Sequence, residues 1–175
     1  MLTLTLSVII PLILANILHQ AVVVKSNWCA FLAHPIDGGI CLGGKRLFGS
    51  HKTWRGFIVV IVCTTLYSLL FGFCAGDSFT FMHDGIIASV GYMLGELPNS
   101  FLKRRLGIHE GASGRGLTGK IFAQLDHADS IVGASLMLYF FGAISYPPSI
   151  LLTGAILGVL FHIAVTKILH HFHFR

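Results

Sequence analysis

Charge is what this chain has least of. In 175 residues there are 12 Lys and Arg and 7 Asp and Glu, 11% charged against 54% hydrophobic. A soluble domain has about a quarter of its residues charged. The deficit excludes a soluble fold and indicates one integral membrane domain over residues 1–175, too short to hold a second. Cysteine is equally uninformative as a ligand: Cys29, Cys41, Cys63 and Cys74 contain no CxxC spacing, which argues against a zinc site and a disulfide framework. The N-terminus lacks a basic n-region, its apolar run is too long, and no small-x-small site closes it, so it does not read as a cleavable signal. A complete nucleotide-binding Gly-x4-Gly-Lys-Ser/Thr loop is missing too. Gly39 to Lys45 is followed by Arg46, and Gly114 to Lys120 by Ile121. Neither offers the hydroxyl that would ligate magnesium, and neither follows an expected strand. The ATPase reading falls, but glycine N–H groups beside Lys or Arg can still cradle phosphate.

What remains is apolar sequence in five stretches. The spans expected are about Leu2–Val24, Gly56–Phe73, Gly85–Leu102, Asp126–Tyr146, and a fifth ending near Leu169, each read as a membrane helix. In the first, Pro11 lies inside the span. Asn16, His19 and Gln20 share one face, either bonding neighbouring helices or lining a polar cavity. Pro98 predicts a kink or break next to Glu96 in the third. All 12 Lys and Arg fall in the loop from Lys25 to Arg55, the loop from Lys103 to Lys120, or the tail with Lys167 and Arg175. The positive-inside rule then places the N-terminus outside and the C-terminus and both basic loops in the cytoplasm, giving a multi-pass protein of the cell membrane. Trp28 and Trp54 bracket the first loop as interfacial anchors. The net charge of +5 is therefore directed at lipid headgroups or anionic cofactors, and nucleic acid is not expected as a partner.

The polar groups concentrate between Gly95 and Gly133. Glu96 lies roughly 10 Å below the interface, counting back from Lys103 at about 1.5 Å per residue. A carboxylate at that depth has to be paired, protonated or bound to metal. Ser100 and Lys103 share its face. Asp126 and Asp129, with Ser130 beside them, form a carboxylate pair that can hold one or two magnesium ions. The alternative is helix N-capping by Asp in a first turn. His170, His171 and His173 read as interfacial filler, and glycines inside the spans as close-packing positions.

These residues resemble the CDP-archaeol synthase family of membrane cytidylyltransferases, which is related to the CDP-diacylglycerol synthases. The resemblance rests on Pro11 with Ala15-Asn16, Pro35-Ile36-Asp37 with Gly39, and Gly44-Lys45-Arg46 with Gly49. It continues through Lys52-Thr53, Arg55-Gly56, Gly95-Glu96, Ser100-Phe101, Lys103-Arg104-Arg105-Leu106-Gly107-Ile108, Asp126 and Asp129. The chain departs from the pattern at Glu96, where the family usually has Asp, and at His127, where Gln is common. The resemblance implies a five-helix membrane protein joining CTP to a lipid phosphate with magnesium, giving a CDP-lipid and pyrophosphate. On that basis Asp126 and Asp129 are expected to ligate Mg2+, with Glu96 as third ligand or water orienter, and Lys103, Arg104 and Arg105 to grip the triphosphate. Arg46, Lys52 and Arg55 would hold the lipid phosphate or the nucleotide, with Thr53, Asn99 and Ser100 in the same substrate site. Asp37 either orders the first loop or reads the base. A homodimer is compatible with the sequence.

Three other readings compete. A CDP-alcohol phosphotransferase needs Asp-Gly-x2-Ala-Arg, and neither Asp37-Gly38 nor Asp84-Gly85 continues that way. A small proton- or ion-coupled transporter built around Glu96 leaves the basic loops unexplained. A non-catalytic binder of anionic lipid leaves Asp126 and Asp129 idle.

Overall fold

The computed structural model describes residues 2–24, 26–112 and 114–171. Lys25, His173 and Arg175, together with the side chains of His170 and His171, lie outside the described residues.

Five long helical segments make up the fold, as expected. The first, α1, covers residues 2–24, with α-helical Leu2–Leu4 and Ile10–Leu18 and wider π-type turns at Thr5–Ile9 and His19–Val24. Pro11 has no N–H, so the carbonyl of Ser7 loses its helical partner. The Ser68 hydroxyl replaces it, donating to Ser7 O at 2.6 Å. A proline in the first helix thus fixes that helix to the second.

The first loop adds what the all-α expectation lacked, a short hairpin. β1 (Cys41–Leu42) pairs antiparallel with β2 (Lys45–Arg46), Cys41 opposite Arg46 and Leu42 opposite Lys45. Gly43 and Gly44 turn it with φ of 57° and 72°, the left-handed pair that a two-residue hairpin turn requires. The Gly-Gly that looked like half of a phosphate loop is a β-turn.

Helix α2 (Trp54–Ala75) starts at Thr53, whose side chain accepts from Gly56 N at 3.3 Å. Helix α3 (Ser78–Arg105) is capped by Asp77, which accepts from Thr80 N at 3.2 Å. It begins well before the expected Gly85, so Asp84 lies in a helix and not in a loop. It also runs through Pro98 as one helix, so of the expected kink or break there is no break. Helix α4 (Gly116–Phe141) begins ahead of the expected Asp126. Asp126 and Asp129 are therefore interior helix residues, which removes the N-capping alternative. The positive-φ glycines Gly114 and Gly116 read as loop, and the helix starts directly at them. Helix α5 is Pro148–His171.

α3 is the axis of the bundle, packing most extensively on α4 and then on α2, while α5 packs on α4 and α1 on α2. The α3–α4 seam is set by glycine. A Cβ on Gly133 would stand 2.3 Å from Gly91 O and 2.7 Å from Gly95 Cα. Only backbones without side chains approach this closely, and the approach brings Glu96 beside Asp129 and Ser130.

The bundle buries polar side chains beside an apolar core that includes Leu12, Val60, Tyr92 and Met93, and turns large apolar side chains outward. Ser7, Thr64, Ser68, Asp84, Ser89 and Ser130 are buried, while Val62, Leu66, Leu70, Phe73, Leu136, Phe140, Leu152 and Phe161 are exposed. Water would penalise that arrangement and hydrocarbon favours it. Among the described residues, only α2 is both long and apolar enough by composition to cross a membrane, with shorter apolar stretches at Ser7–Leu18 and Pro148–Phe161. α3 and α4 fall below that measure because they carry the charged cluster described next.

Candidate functional site

Along α3, Glu96, Asn99 and Lys103 recur at helical spacing and face Asp126, Asp129 and Ser130 on α4. The Asn99 amide donates to Asp126 Oδ1 at 2.8 Å and to Asp129 Oδ2 at 2.7 Å. Lys103 Nζ binds both oxygens of Asp126. Ser130 Oγ donates to Glu96 Oε1 at 3.1 Å and lies 3.1 Å from Asp129 Oδ1. Lys52 reaches in from the first loop and pairs with Glu96 Oε2. Six residues expected at the site (Lys52, Glu96, Asn99, Lys103, Asp126 and Asp129) thus form one connected network. Lys103 and Asn99 are buried, while the Asp126 side chain is 38% exposed, so the network opens to the outside at its Asp126 end.

The other expected residues are drawn elsewhere. Asp37 is buried and accepts from Gly39 N at 3.0 Å, Phe48 N at 3.2 Å, Gly49 N at 3.1 Å and the Arg46 guanidinium. Of its two roles left open by the sequence, this geometry matches ordering of the loop. Burial opposes its ionisation, but Arg46 and the three N–H groups outweigh that and hold the carboxyl down at about 2. Arg105 binds the carbonyls of Leu42, Lys45 and Arg46, and Lys45 Nζ donates back to Arg105 O at 3.1 Å. Its guanidinium locks the hairpin onto the end of α3. Arg104 donates to His109 O at 3.3 Å and Arg55 to Asn27 Oδ1 at 3.1 Å. Thr53 caps α2, and Ser100 is half-buried on α3 outside the carboxylate network.

Two contributors were not anticipated. Glu110 ties the second loop to the first through Ser50, and that bond holds its carboxyl below the usual range. Tyr92, one turn before Glu96, is buried with its hydroxyl facing Ser130 and Asn16. The i, i+4 relation to Glu96 was the available signal for Tyr92. For Glu110 there was none, since its partner is far away in sequence.

Next to the network lies an open apolar groove. Asn16, Tyr92, Ile131 and Gly158 line it at the network end, and Leu4, Leu138 and Leu151 at the other. Asn16 lines this groove, which is apolar and not the polar cavity of one reading, and its place beside Tyr92 of α3 also matches the interhelical reading; its amide donates to Leu12 O at 3.0 Å.

Among the described residues no three carboxylate, His or Cys side chains converge on a ready-made metal centre. Glu96 is linked to Asp129 through Ser130. The carboxylate pair itself fits a hard divalent cation: Asp126 Oδ1 and Asp129 Oδ2 approach one common atom on Asn99. Asn99 Oδ1 is buried without a partner beside them. Two carboxylates completed by substrate phosphates are how a magnesium-type ion is commonly held.

A helical bundle with its polar groups inside, a cation–carboxylate network at one end and an apolar groove leading from it defines a membrane enzyme for a charged headgroup on an apolar tail. The particular family follows from comparison. Residues 1–175 match the CarS-like, CDP-archaeol synthase family model, and the chain belongs to that family. It is 37% identical to the CDP-archaeol synthase of Methanopyrus kandleri over 130 residues, 73% of this chain and 69% of that one. It is likewise 37% identical to that of Staphylothermus marinus over 142 residues, 79% and 75% of the two chains. Its fold is similar to a solved intramembrane enzyme of archaeal membrane lipid biosynthesis. The TM-score is 0.65 at 25% identity, covering 90% of this chain and 92% of the other.

Proposed function

We propose that the chain moves the cytidylyl group of CTP onto a lipid phosphate monoester, releasing pyrophosphate, at the cytoplasmic face of the cell membrane. Its family makes it a CTP-dependent cytidylyltransferase acting on a lipid phosphate. The finer reading is carried by one observation: the network of Lys52, Glu96, Asn99, Lys103, Asp126 and Asp129 adjoins the apolar groove through Tyr92 and Asn16. Headgroup chemistry and tail binding then share a boundary. Five spans, with the N-terminus outside and both basic loops in the cytoplasm, are the topology that presents this network to CTP.

A lipid phosphate monoester has its second pKa near 6 and arrives as a dianion, so no strong base is needed. One of its oxygens attacks the α-phosphorus of CTP. A new P–O bond forms, the α–β bridging P–O bond breaks, and pyrophosphate leaves with the electron pair. The obstacle is repulsion between anions, which fixed cations and positioning relieve. Lys52, which comes from the first loop and pairs with Glu96, would meet the lipid phosphate. Lys103, paired with the half-exposed Asp126, would meet the triphosphate. Asp126 and Asp129 would hold Mg2+, which when bound supplies charge neutralisation of the nucleotide phosphates. Arg46 and Arg105 act one step back, fixing the hairpin beside the site.

The test is pyrophosphate release from purified protein in detergent with CTP, magnesium and a panel of isoprenoid-ether and diacyl phosphates. Release that needs both substrates is the expected result. Silence across the whole panel from well-folded protein would refute it.

A further inference from the structure

Asp84 is the one carboxylate of α3 that the chemistry above leaves unused. It is completely buried, yet every partner found for it is accounted for. Ala143 N donates to Oδ1 at 2.7 Å and Tyr146 OH to Oδ2 at 3.1 Å, with His83 Nδ1 at 3.5 Å from Oδ1. The Tyr146 hydroxyl also lies 3.1 Å from Ser7 Oγ. One carboxylate therefore ties α3 to the α4–α5 connection and, through Tyr146, to α1. Those are the elements that end the apolar groove. Leu4 and Val8 flank Ser7 on α1, Leu138 stands one turn before the end of α4, and Leu151 opens α5 just beyond Tyr146; all four line the groove. The opposite end of the groove, at Asn16, lies about 18 Å further along α1 at 1.5 Å per residue.

We propose that Asp84, Tyr146 and Ser7 form a clasp that closes the far end of the groove and so sets the length of hydrocarbon chain the enzyme accepts. The inference rests on the reading of the groove as the tail site. A clasp of the Ala143 N–H and the Tyr146 hydroxyl on one buried carboxylate holds because each lost bond would leave a buried polar group without a partner. The walls it joins consequently cannot part to admit a longer chain. The three are specificity-determining positioning residues, since none reaches the phosphate network.

The experiment compares the wild type with Tyr146→Phe, Ser7→Ala and Asp84→Asn on glycerol phosphates carrying ether-linked chains of graded length. The wild type should show kcat/KM falling beyond a limiting length. Tyr146→Phe and Ser7→Ala should raise kcat/KM for chains beyond that limit by about tenfold relative to shorter ones, through KM. Asp84→Asn keeps an oxygen for Ala143 N and an amide for Tyr146, and should restore most of the wild-type profile. An unchanged length profile in Tyr146→Phe and Ser7→Ala overturns the clasp. So does an equal loss at every length together with a lower melting temperature, which is what a purely structural bond would give. Failure of the underlying reading is distinct: the wild type would then turn over none of the series.

Discussion

α3 carries two acids into the bundle, Asp84 and Glu96, and they meet opposite fates. Asp84 is enclosed by the Ala143 N–H and the Tyr146 hydroxyl, with His83 Nδ1 at 3.5 Å, and has no exposed surface. Glu96 is paired with the Lys52 ammonium and keeps 20% of its side chain exposed. At 1.5 Å per residue they are about 18 Å apart along one helix. Both are costly in an apolar surrounding unless compensated. The compensation differs in kind: hydrogen bonds from Ala143 N and the Tyr146 hydroxyl hold Asp84, while an ion pair with the partly exposed Lys52 ammonium holds Glu96. A buried acid thus marks either a joint or a site, and the charge of its neighbours tells which.

The largest effect that would sharpen this comparison is at the site. Asp126→Asn and Asp129→Asn should each lower kcat for pyrophosphate release by about 10²–10³-fold, the range for losing one electrostatic group at a reacting centre. Asp129→Asn can keep its contact with Asn99 and should melt much as the wild type, whereas Asp126→Asn takes the carboxylate from the buried Lys103 ammonium and should also melt lower. A variant that retains full activity would remove that carboxylate from the chemistry. At the joint the ranking reverses. Asp84→Ala strands the Ala143 N–H and the Tyr146 hydroxyl, and should cost about 3 kcal/mol of stability. Asp84→Asn should cost only about 1 kcal/mol. Equal melting of both variants in a denaturation series would dissolve the distinction between joint and site.

The same contrast explains what could be read from the sequence. Glu96, Asp126 and Asp129 were legible because charge next to apolar runs is rare, and helical spacing put Lys103 on the same face as Glu96. The spacing glycines were legible for the same reason, and Gly91, Gly95 and Gly133 do meet backbone to backbone. Asp84 was misplaced in a loop because Asp77 and Asp84 lie close together and no cation marks either. Its partners Ala143, Tyr146 and Ser7 are far off in sequence and uncharged, so no local pattern announces them. Asp126 was put at a helix start because Gly114, Gly116 and Gly119 delay any helical signal. The Gly43-Gly44 turn was overshadowed by its likeness to a phosphate loop. Arg105 looked like part of a phosphate grip, and only the fold brings the hairpin carbonyls under it.

A smaller effect tests whether a third acid, Asp37, belongs with the joint or with the site. Its folded carboxyl titrates at about 2 instead of 3.8, because Arg46 and three backbone N–H groups overcome the cost of its burial. A depressed carboxylate contributes stability that is fully present above the unfolded value. That contribution is lost as pH falls through the folded one. The window therefore runs from about pH 4 down to about pH 2, and the amount, at 1.36 kcal/mol per unit, is about 2 kcal/mol. Hydrogen exchange at the amides of Gly39, Phe48 and Gly49 reads it directly. Once the intrinsic pH dependence of exchange is removed, protection in the wild type should be flat down to about pH 4 and decline below it. Asp37→Asn should be less protected at neutral pH and show no such decline. If Asp37 instead served as a ligand to the base, its substitution would leave protection intact and raise only the KM for CTP. Asp37 shares backbone N–H donors with Asp84 and a cationic partner with Glu96, so the exchange measurement is what assigns it to one or the other.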